Sequence, residues 1–426
     1  MTVINPDGKR ASIAGFYIDS EFKIYGTALA SGNEPSLAVD PRNSLHAVVG
    51  FNRTNVLSVL SGAQCGWAES RDGGVNWTSG SLKMPAKFIA VGDPWLVYSP
   101  TGQLFYSCIG ETSYSNPLGL LHQRSVAIFV ATTSTGMAVN FKAPVAIATV
   151  QQTCTGVLLA CGDQGELTDH PSLVMRGTQV IACWIDNFSS TGNFFILTAA
   201  SDDGQKWSSP KVVGSQGASC TVGSNSSTVA VSWVSVDGSL RVRTSANGVD
   251  WNPEFSLATT GILVGNKSTT GVVLSVPYAL VMPGPVGLNA VWQARTTHSD
   301  VFMGRAIPNS VGIAFQDAAN GTVDADKFLP GAKSCPSAAG AYEVTTADSK
   351  FRYKVWPIGV LGPVTPIFAS GADLDATYGY DDLRYPGFKR VGDYTSVDCA
   401  GNYGWAAWTD LRNGRLEIWG ARIPLQ

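Results

Sequence analysis

The stretch from Gly392 to Arg422, GDYTSVDCAGNYGWAAWTDLRNGRLEIWGAR, carries the pattern of the whole chain. Apolar segments alternate with polar turns: an acid-led segment, a turn, a run of small and aliphatic residues around Trp, another turn and a third segment. Short apolar runs bounded by Gly, Asn and Asp predict antiparallel strands. Six segments open with a shared first-strand cue, often an acid before proline. They are EPSLAVDP from Glu34, DPWLVYSP from Asp93, DHPSLVMR from Asp169, SCTVGSNS around Cys220, SVPYALVM from Ser275 and GDYTSVDC from Gly392. Each leads to a turn and a second strand. Stacked, the second strands place Trp184, Trp233, Trp292 and Trp408 at one position, with Phe51 filling it in the first unit. The residues just before are mostly small: Gly50, Cys183, Ser232, Val291 and Ala407.

A lone four-stranded sheet cannot bury both faces, whereas sheets repeated around an axis bury each face against the next. Six units therefore predict an all-β, six-bladed β-propeller with four-stranded antiparallel blades, forming one domain over residues 1–426. Residues 1–33 contain ASIAGFYI and FKIYGTAL. One of these is expected to supply the outer strand of the last blade and close the ring. Residues 34–305 make the first five blades and 392–426 the last. Residues 306–391 are longer than a blade connection needs and read as a long insertion before the last blade.

A third cue fits the same register. Ser70 to Trp77 reads S-x-D-x-G-x-x-W, and Ser201 to Trp207 and Ser245 to Trp251 repeat it one residue shorter, each after a strand. The Asp or Asn can accept backbone N–H bonds across the turn, the Gly can take positive φ, and the Trp plugs the gap between blades. These boxes resemble the Asp-box (BNR) repeats of the sialidase-like β-propellers, and the resemblance covers nearly the whole chain. In that class the boxes lie away from the ligand face, so they imply architecture and not activity.

Only 14% of residues are charged, with 46 Gly and 12 Trp, as suits short strands and tight turns. The net charge of -3, with basic residues scattered, disfavours nucleic-acid partners. The eight cysteines include no CxxC pair, and four His are too few for a plain zinc motif. The cysteines read equally as disulfides, with Cys154–Cys161 the most plausible local pair, or as buried thiols. No apolar run approaches the roughly 18 residues of a membrane span. The first ten residues, MTVINPDGKR, have no apolar signal core. With the low charge, this predicts an extracellular or virion-surface protein reaching its site by another route or with its signal removed.

The register also predicts where chemistry sits. The starts of first strands and the ends of second strands share one face of a propeller. Glu34, Asp93, Asp169 and Asp393 open first strands, while Arg53, Arg295 and Arg412 follow second-strand aromatics in the first, fifth and sixth blades. The channel mouth should thus hold carboxylates around it and three arginines on one side. The resemblance implies three arginines gripping a substrate carboxylate, a Tyr nucleophile paired with Glu, and an Asp acid/base. By position Tyr394 resembles the nucleophile, and Asp93 is a candidate for the acid. The chain departs from the family in having GKRASIAGFYI where an N-terminal Arg-Ile-Pro motif belongs, and no Glu is evidently placed beside Tyr394. The alternative reading is that Asp410 and Arg412 bridge each other and the acid-Pro starts cap strands and bond neighbouring blades. ADLDATYGYDDLRYP gathers Asp373, Asp375, Asp381 and Asp382 in one loop, which reads either as a calcium site or as a solvated turn.

Two function classes follow. The first is a non-catalytic module presenting one face to glycans or protein partners, including other subunits of an assembly. The second is an exo-acting, sialidase-like glycoside hydrolase. Fold alone does not choose between them.

Overall fold

The computed structural model describes residues 3–4, 10–11, 18–55, 63–115, 121–134, 139–155, 168–188, 193–259, 279–284, 287–295, 299–306, 313–317, 327–333, 339–345, 350–357, 367–368, 370–381 and 389–425. Among these, seven antiparallel sheets have four or more strands. The first sheet runs from Ala30–Val39 to Thr78–Ser81, the second from Ile89–Tyr98 to Val145–Thr155, and the third from Thr168–Arg176 to Lys211–Ser215. The fourth runs from Gly217–Ser224 to Phe255–Thr259 and the fifth from Ala279–Gly284 to Ile313–Asp317. The sixth begins at Lys327–Lys333. The seventh joins Ser396–Ala400, Tyr403–Asp410 and Glu417–Pro424 to Ser20–Tyr25. The expected pairing of an N-terminal strand with the last sheet is therefore present, in register Ser20 to Arg422 and Tyr25 to Ile418.

The count corrects the six expected units. Residues 306–391 are not a single insertion: they hold the last strand of the fifth sheet and the whole sixth sheet. The sixth sheet escaped the repeat because its second strand, Ala339–Thr345, has no Trp, and its first carries Leu329-Pro330 without an acid.

The first strand of each sheet lies beside the first strand of the next, and Ser396–Ala400 lies beside Ala30–Val39. Serines on these inner strands accept backbone N–H bonds from a neighbouring sheet: Ser36 from Leu96 at 2.9 Å, Ser172 from Val222 at 3.2 Å and Ser396 from Leu37 at 2.9 Å. The core sits between sheets. Trp184, Trp233, Trp292 and Trp408 are all buried on second strands, and each fills the gap toward the preceding sheet. Phe51 does the same between the seventh and first sheets. The indole column is thus blade packing, as its spacing predicts.

The three boxes fold as the same turn. Ser70 Oγ accepts the Gly74 N–H at 2.9 Å, and Asp72 Oδ1 accepts that of Asn76 at 2.9 Å. Ser201 with Gly204 and Ser245 with Gly248 repeat the first bond at 2.8 Å each. Gly74 has φ 94°, and a Cβ there would stand 2.6 Å from the Phe22 ring, so both conformation and space demand Gly. Trp77 packs against Phe22 and Trp405 of the seventh sheet.

Among the described residues, two disulfides cross between neighbouring sheets: Cys65–Cys108 links the first to the second, and Cys183–Cys220 the third to the fourth. Cys399 is also disulfide-bonded. The expected partner of Cys154, Cys161, lies outside the described residues.

Candidate functional site

A recurrent irregularity builds the mouth. The inner strands of the first, second and third sheets each carry a β-bulge beside an X-Pro dipeptide. The residue before proline sits at positive φ in all three: Glu34 at 56°, Asp93 at 55° and His170 at 50°. Non-glycine residues seldom adopt this conformation, and such strain persists only where the surroundings hold it. The bulge breaks the two-residue alternation of the strand and gathers these side chains into one polar cluster.

Glu34 is its centre. It is buried; its Oε2 accepts from Asn52 Nδ2 at 2.5 Å and its Oε1 from the Asp393 N–H at 3.1 Å. Gly392, with φ 128°, makes room, since a Cβ there would lie 2.8 Å from Glu34 Cγ. Burial first, and then the neighbouring carboxylates of Asp393 and Asp93, push the Glu34 carboxyl well above its usual range, against Arg390 and the Asn52 bond. Glu34 is therefore protonated where free carboxyls are ionised. Asn52 Oδ1 is buried and has no hydrogen-bond partner among the described residues. Rotating that amide by half a turn presents it as the acceptor for the carboxyl proton. Arg390 forms an ion pair with Asp393.

On the other side, Asp93 Oδ2 accepts the His170 N–H at 3.2 Å and stands 3.4 Å from its Nδ1, while Asp169 Oδ2 stands 3.4 Å from its Nε2. Ligand atoms of Asp93, Asp169 and His170 all lie within 4.8 Å of one another, close enough to share a cation.

A pH prediction follows. In the unfolded chain Glu34 ionises near 4.5, but in the native protein it holds its proton to higher pH. The native state then binds the extra proton, so Glu34 lowers stability progressively as pH rises from about 4.5 through its native value. Glu34→Gln cannot ionise and keeps an oxygen and an amide for the same partners. Its melting temperature should exceed that of the wild type more at pH 8 than at pH 4; an equal difference at both would refute the protonated assignment.

The other expected residues are placed as follows. Tyr394 is buried, and its hydroxyl donates to the Pro94 carbonyl at 3.1 Å, beside Trp95. It ties the segment leading into Ser396–Ala400 to the second sheet. Arg412 donates to Asp410 through Nε at 2.9 Å and Nη2 at 2.7 Å, pairs with Glu21, and lies 3.8 Å from the Trp419 ring centre. Arg53 donates to Ser81 Oγ at 3.3 Å and sits 5.3 Å above the Tyr25 ring. Arg53 and Arg412 thus have separate partners. Arg295 pairs with Ser299 at the end of its strand, and its side chain lies outside the described residues. Of the acidic loop, Asp375 caps the turn Ala376–Tyr378 by accepting the Thr377 N–H at 2.9 Å and its hydroxyl at 2.7 Å. Asp373 is exposed, Asp381 lies in a two-residue strand paired with Lys389, and Asp382 is outside the described residues.

The structure therefore joins Glu34, Asp93, Asp169 and Asp393 as the register requires. It adds Asn52, His170 and Arg390, which the sequence reading did not single out. His170 had a signal: it precedes Pro171 as Glu34 and Asp93 precede theirs. Arg390 had none, since it lies in the stretch read as an insertion.

No family model matches the chain, and no curated protein matches it either. Among solved structures, it is similar to a Dyadobacter fermentans protein of unknown function at 10% identity and a TM-score of 0.51, with 97% of this chain and 100% of that one covered. It is also similar to the GH93 α-L-arabinofuranosidase of Fusarium graminearum, at 10% identity and TM-score 0.49, over 96% and 98% of the two chains. Trypanosoma rangeli sialidase follows at 12% and 0.46, over 94% and 74%. At such identities the likeness extends to the fold alone.

Proposed function

We propose that this sialidase-like propeller is a non-catalytic binding module working outside the reducing cytoplasm, at an extracellular or virion surface, and presenting its channel mouth to glycans or protein partners. The observation that carries this reading is the engagement of Arg412. A sialidase needs that guanidinium free for a substrate carboxylate; here Asp410 takes it by a two-pronged bond, Glu21 pairs with it and Trp419 stacks on it. The buried Tyr394 hydroxyl, spent on a backbone carbonyl, supports the same reading. The inter-sheet disulfides suit an oxidising compartment. No helix among the described residues is long and apolar enough to cross a membrane.

A second reading has one observation in its favour. A Glu34 carboxyl that burial pushes well above its usual range, beside the Asp93 carboxyl, is the kind of pair from which glycoside hydrolases draw a general acid. Both readings meet the same test: a fluorogenic sialoside and a panel of neutral glycosides, run beside a glycan array. We expect no turnover of the sialoside and retention of ligand on the array. Sialoside hydrolysis abolished by both Arg412→Ala and Tyr394→Phe would overturn the proposal. Hydrolysis of a neutral glycoside abolished by Glu34→Gln would establish the second reading instead.

A further inference from the structure

A second charged cluster lies at the opposite end of the strands, where the boxes are. The turn from Asp40 to His46 and the box-side end of the strand Gln64–Ser70 meet there. His46 is buried, with Nε2 2.9 Å from Glu69 Oε1 and 3.3 Å from the Tyr98 hydroxyl, and Nδ1 3.3 Å from Asp40 Oδ2. Asp40 also takes Nε and Nη2 of Arg42 at 3.0 and 2.7 Å, while Glu69 takes Nε of Arg71 at 2.8 Å and the Val139 N–H at 3.1 Å. Burial opposes ionisation of both carboxyls, yet these bonds hold each below its usual range. Both carboxylates are thus held by donors on their own side chains' neighbours, Arg42 for Asp40 and Arg71 for Glu69.

Beside them opens a cavity of about 250 Å³ lined by Asp40, Arg42, Asn43, His46 and Arg71, in which the one carboxylate of the wall, Asp40, is bridged by Arg42 through both oxygens. Both Nη groups of Arg71, Nη1 of Arg42 and the side-chain Nδ2 of Asn43 make no hydrogen bond to another described residue, while the Asn43 backbone N–H donates to the Asp40 carbonyl at 2.9 Å. The Asn43 oxygen is taken by the Leu45 N–H at 3.1 Å. The guanidinium side chains are 41% and 45% exposed, within reach of solvent yet oriented by their carboxylates. A rim offering donors and positive charge, with its acceptors already used, matches an oxyanion, and a guanidinium edge is shaped for two of its oxygens.

We infer that this pocket is a binding site for an oxyanion group, sulfate or carboxylate, with Arg71, Arg42 and Asn43 as its donors. Its volume exceeds that of one such group, leaving room for a sugar that carries it. The site is separate from the channel mouth and stands whether or not that mouth binds glycans.

Isothermal titration at fixed ionic strength, with chloride as the reference salt, tests this on the full chain. The probes are sodium sulfate, glucuronate and N-acetylglucosamine 6-sulfate. We expect saturable binding, weakened at least tenfold by Arg71→Gln. Asn43→Asp retains the bond to Leu45 and sets a carboxylate in the rim; it should abolish binding with an unchanged melting temperature. Lys211→Gln, on the third sheet, should have no effect. Tighter binding of the sugars than of sulfate assigns the source to an acidic saccharide, and the reverse order assigns it to a free oxyanion. No saturable heat above chloride, or binding indifferent to both Arg71→Gln and Asn43→Asp, would overturn the site.

Discussion

Replacing Trp408 by alanine should destabilise the protein by about 3–5 kcal/mol, the range for deleting a fully enclosed indole. The side chain is 1% exposed, its ring stacks on Tyr353 of the sixth sheet at 5.3 Å, and its N–H donates to Asp410 Oδ2 at 2.9 Å. Deletion would open a void between two sheets and take one donor from a fully buried carboxylate. Trp408→Phe separates the two losses. It keeps most of the ring contact and loses the hydrogen bond, at a cost of roughly 1–3 kcal/mol, because Asp410 retains Arg412. Denaturant titration of both variants measures this. A loss for Trp408→Ala no larger than that for Trp408→Phe would mean that the sheets are not held together by the indole.

Removing the disulfides should be comparably severe. Cys65–Cys108 spans 43 residues and Cys183–Cys220 spans 37. On loop-closure entropy each contributes about 4 kcal/mol. They lie in different inter-sheet layers and share no partner, so their losses should add. Together they approach the roughly 5–15 kcal/mol that a typical protein has in total. Cys65→Ala/Cys108→Ala and Cys183→Ala/Cys220→Ala should each lower the thermal midpoint, and the combined variant should fail to fold at 37 °C. A combined variant as stable as either pair alone would show that one layer does not depend on its link.

Much of this was legible in the chain because repetition makes weak cues add. One S-x-D-x-G turn means little; three in register with a Trp on four second strands mark the repeating sheet. The mouth was legible for the same reason, since acid-Pro pairs at matched positions must converge once the strands do. The sixth sheet was not. Tyr342 and Glu343 occupy the part of its second strand where four other sheets carry Trp, so AGAYEVT, strand-like in its Tyr, Val and Thr, does not align with the repeat. The fate of Arg412 was also hidden. Asp410 and Arg412 are two apart, a spacing that serves a mutual bridge or a free arginine equally; the choice depends on Glu21 and Trp419, brought in by other strands. Disulfide partners likewise depend on which strands of adjacent sheets face each other. Cys65 and Cys183 bond to neighbours that spacing along the chain does not favour.

The pairing of Ser20–Tyr25 with Glu417–Pro424 has a consequence for how the protein is made. Six other sheets lie between these segments along the chain, so the contact between them must form after all of those have been synthesised. Until then Glu417–Pro424 has not emerged, and Ser20–Tyr25, with Phe22, Ile24 and Tyr25 among its six residues, offers unpaired amides and carbonyls, an invitation to association between nascent copies. Lys23 and Glu21 on that ribbon pair with Glu417 and Arg412 in the finished molecule. Before it is finished they are bare charges on an open edge, and their burial as ion pairs waits for the last sheet to close.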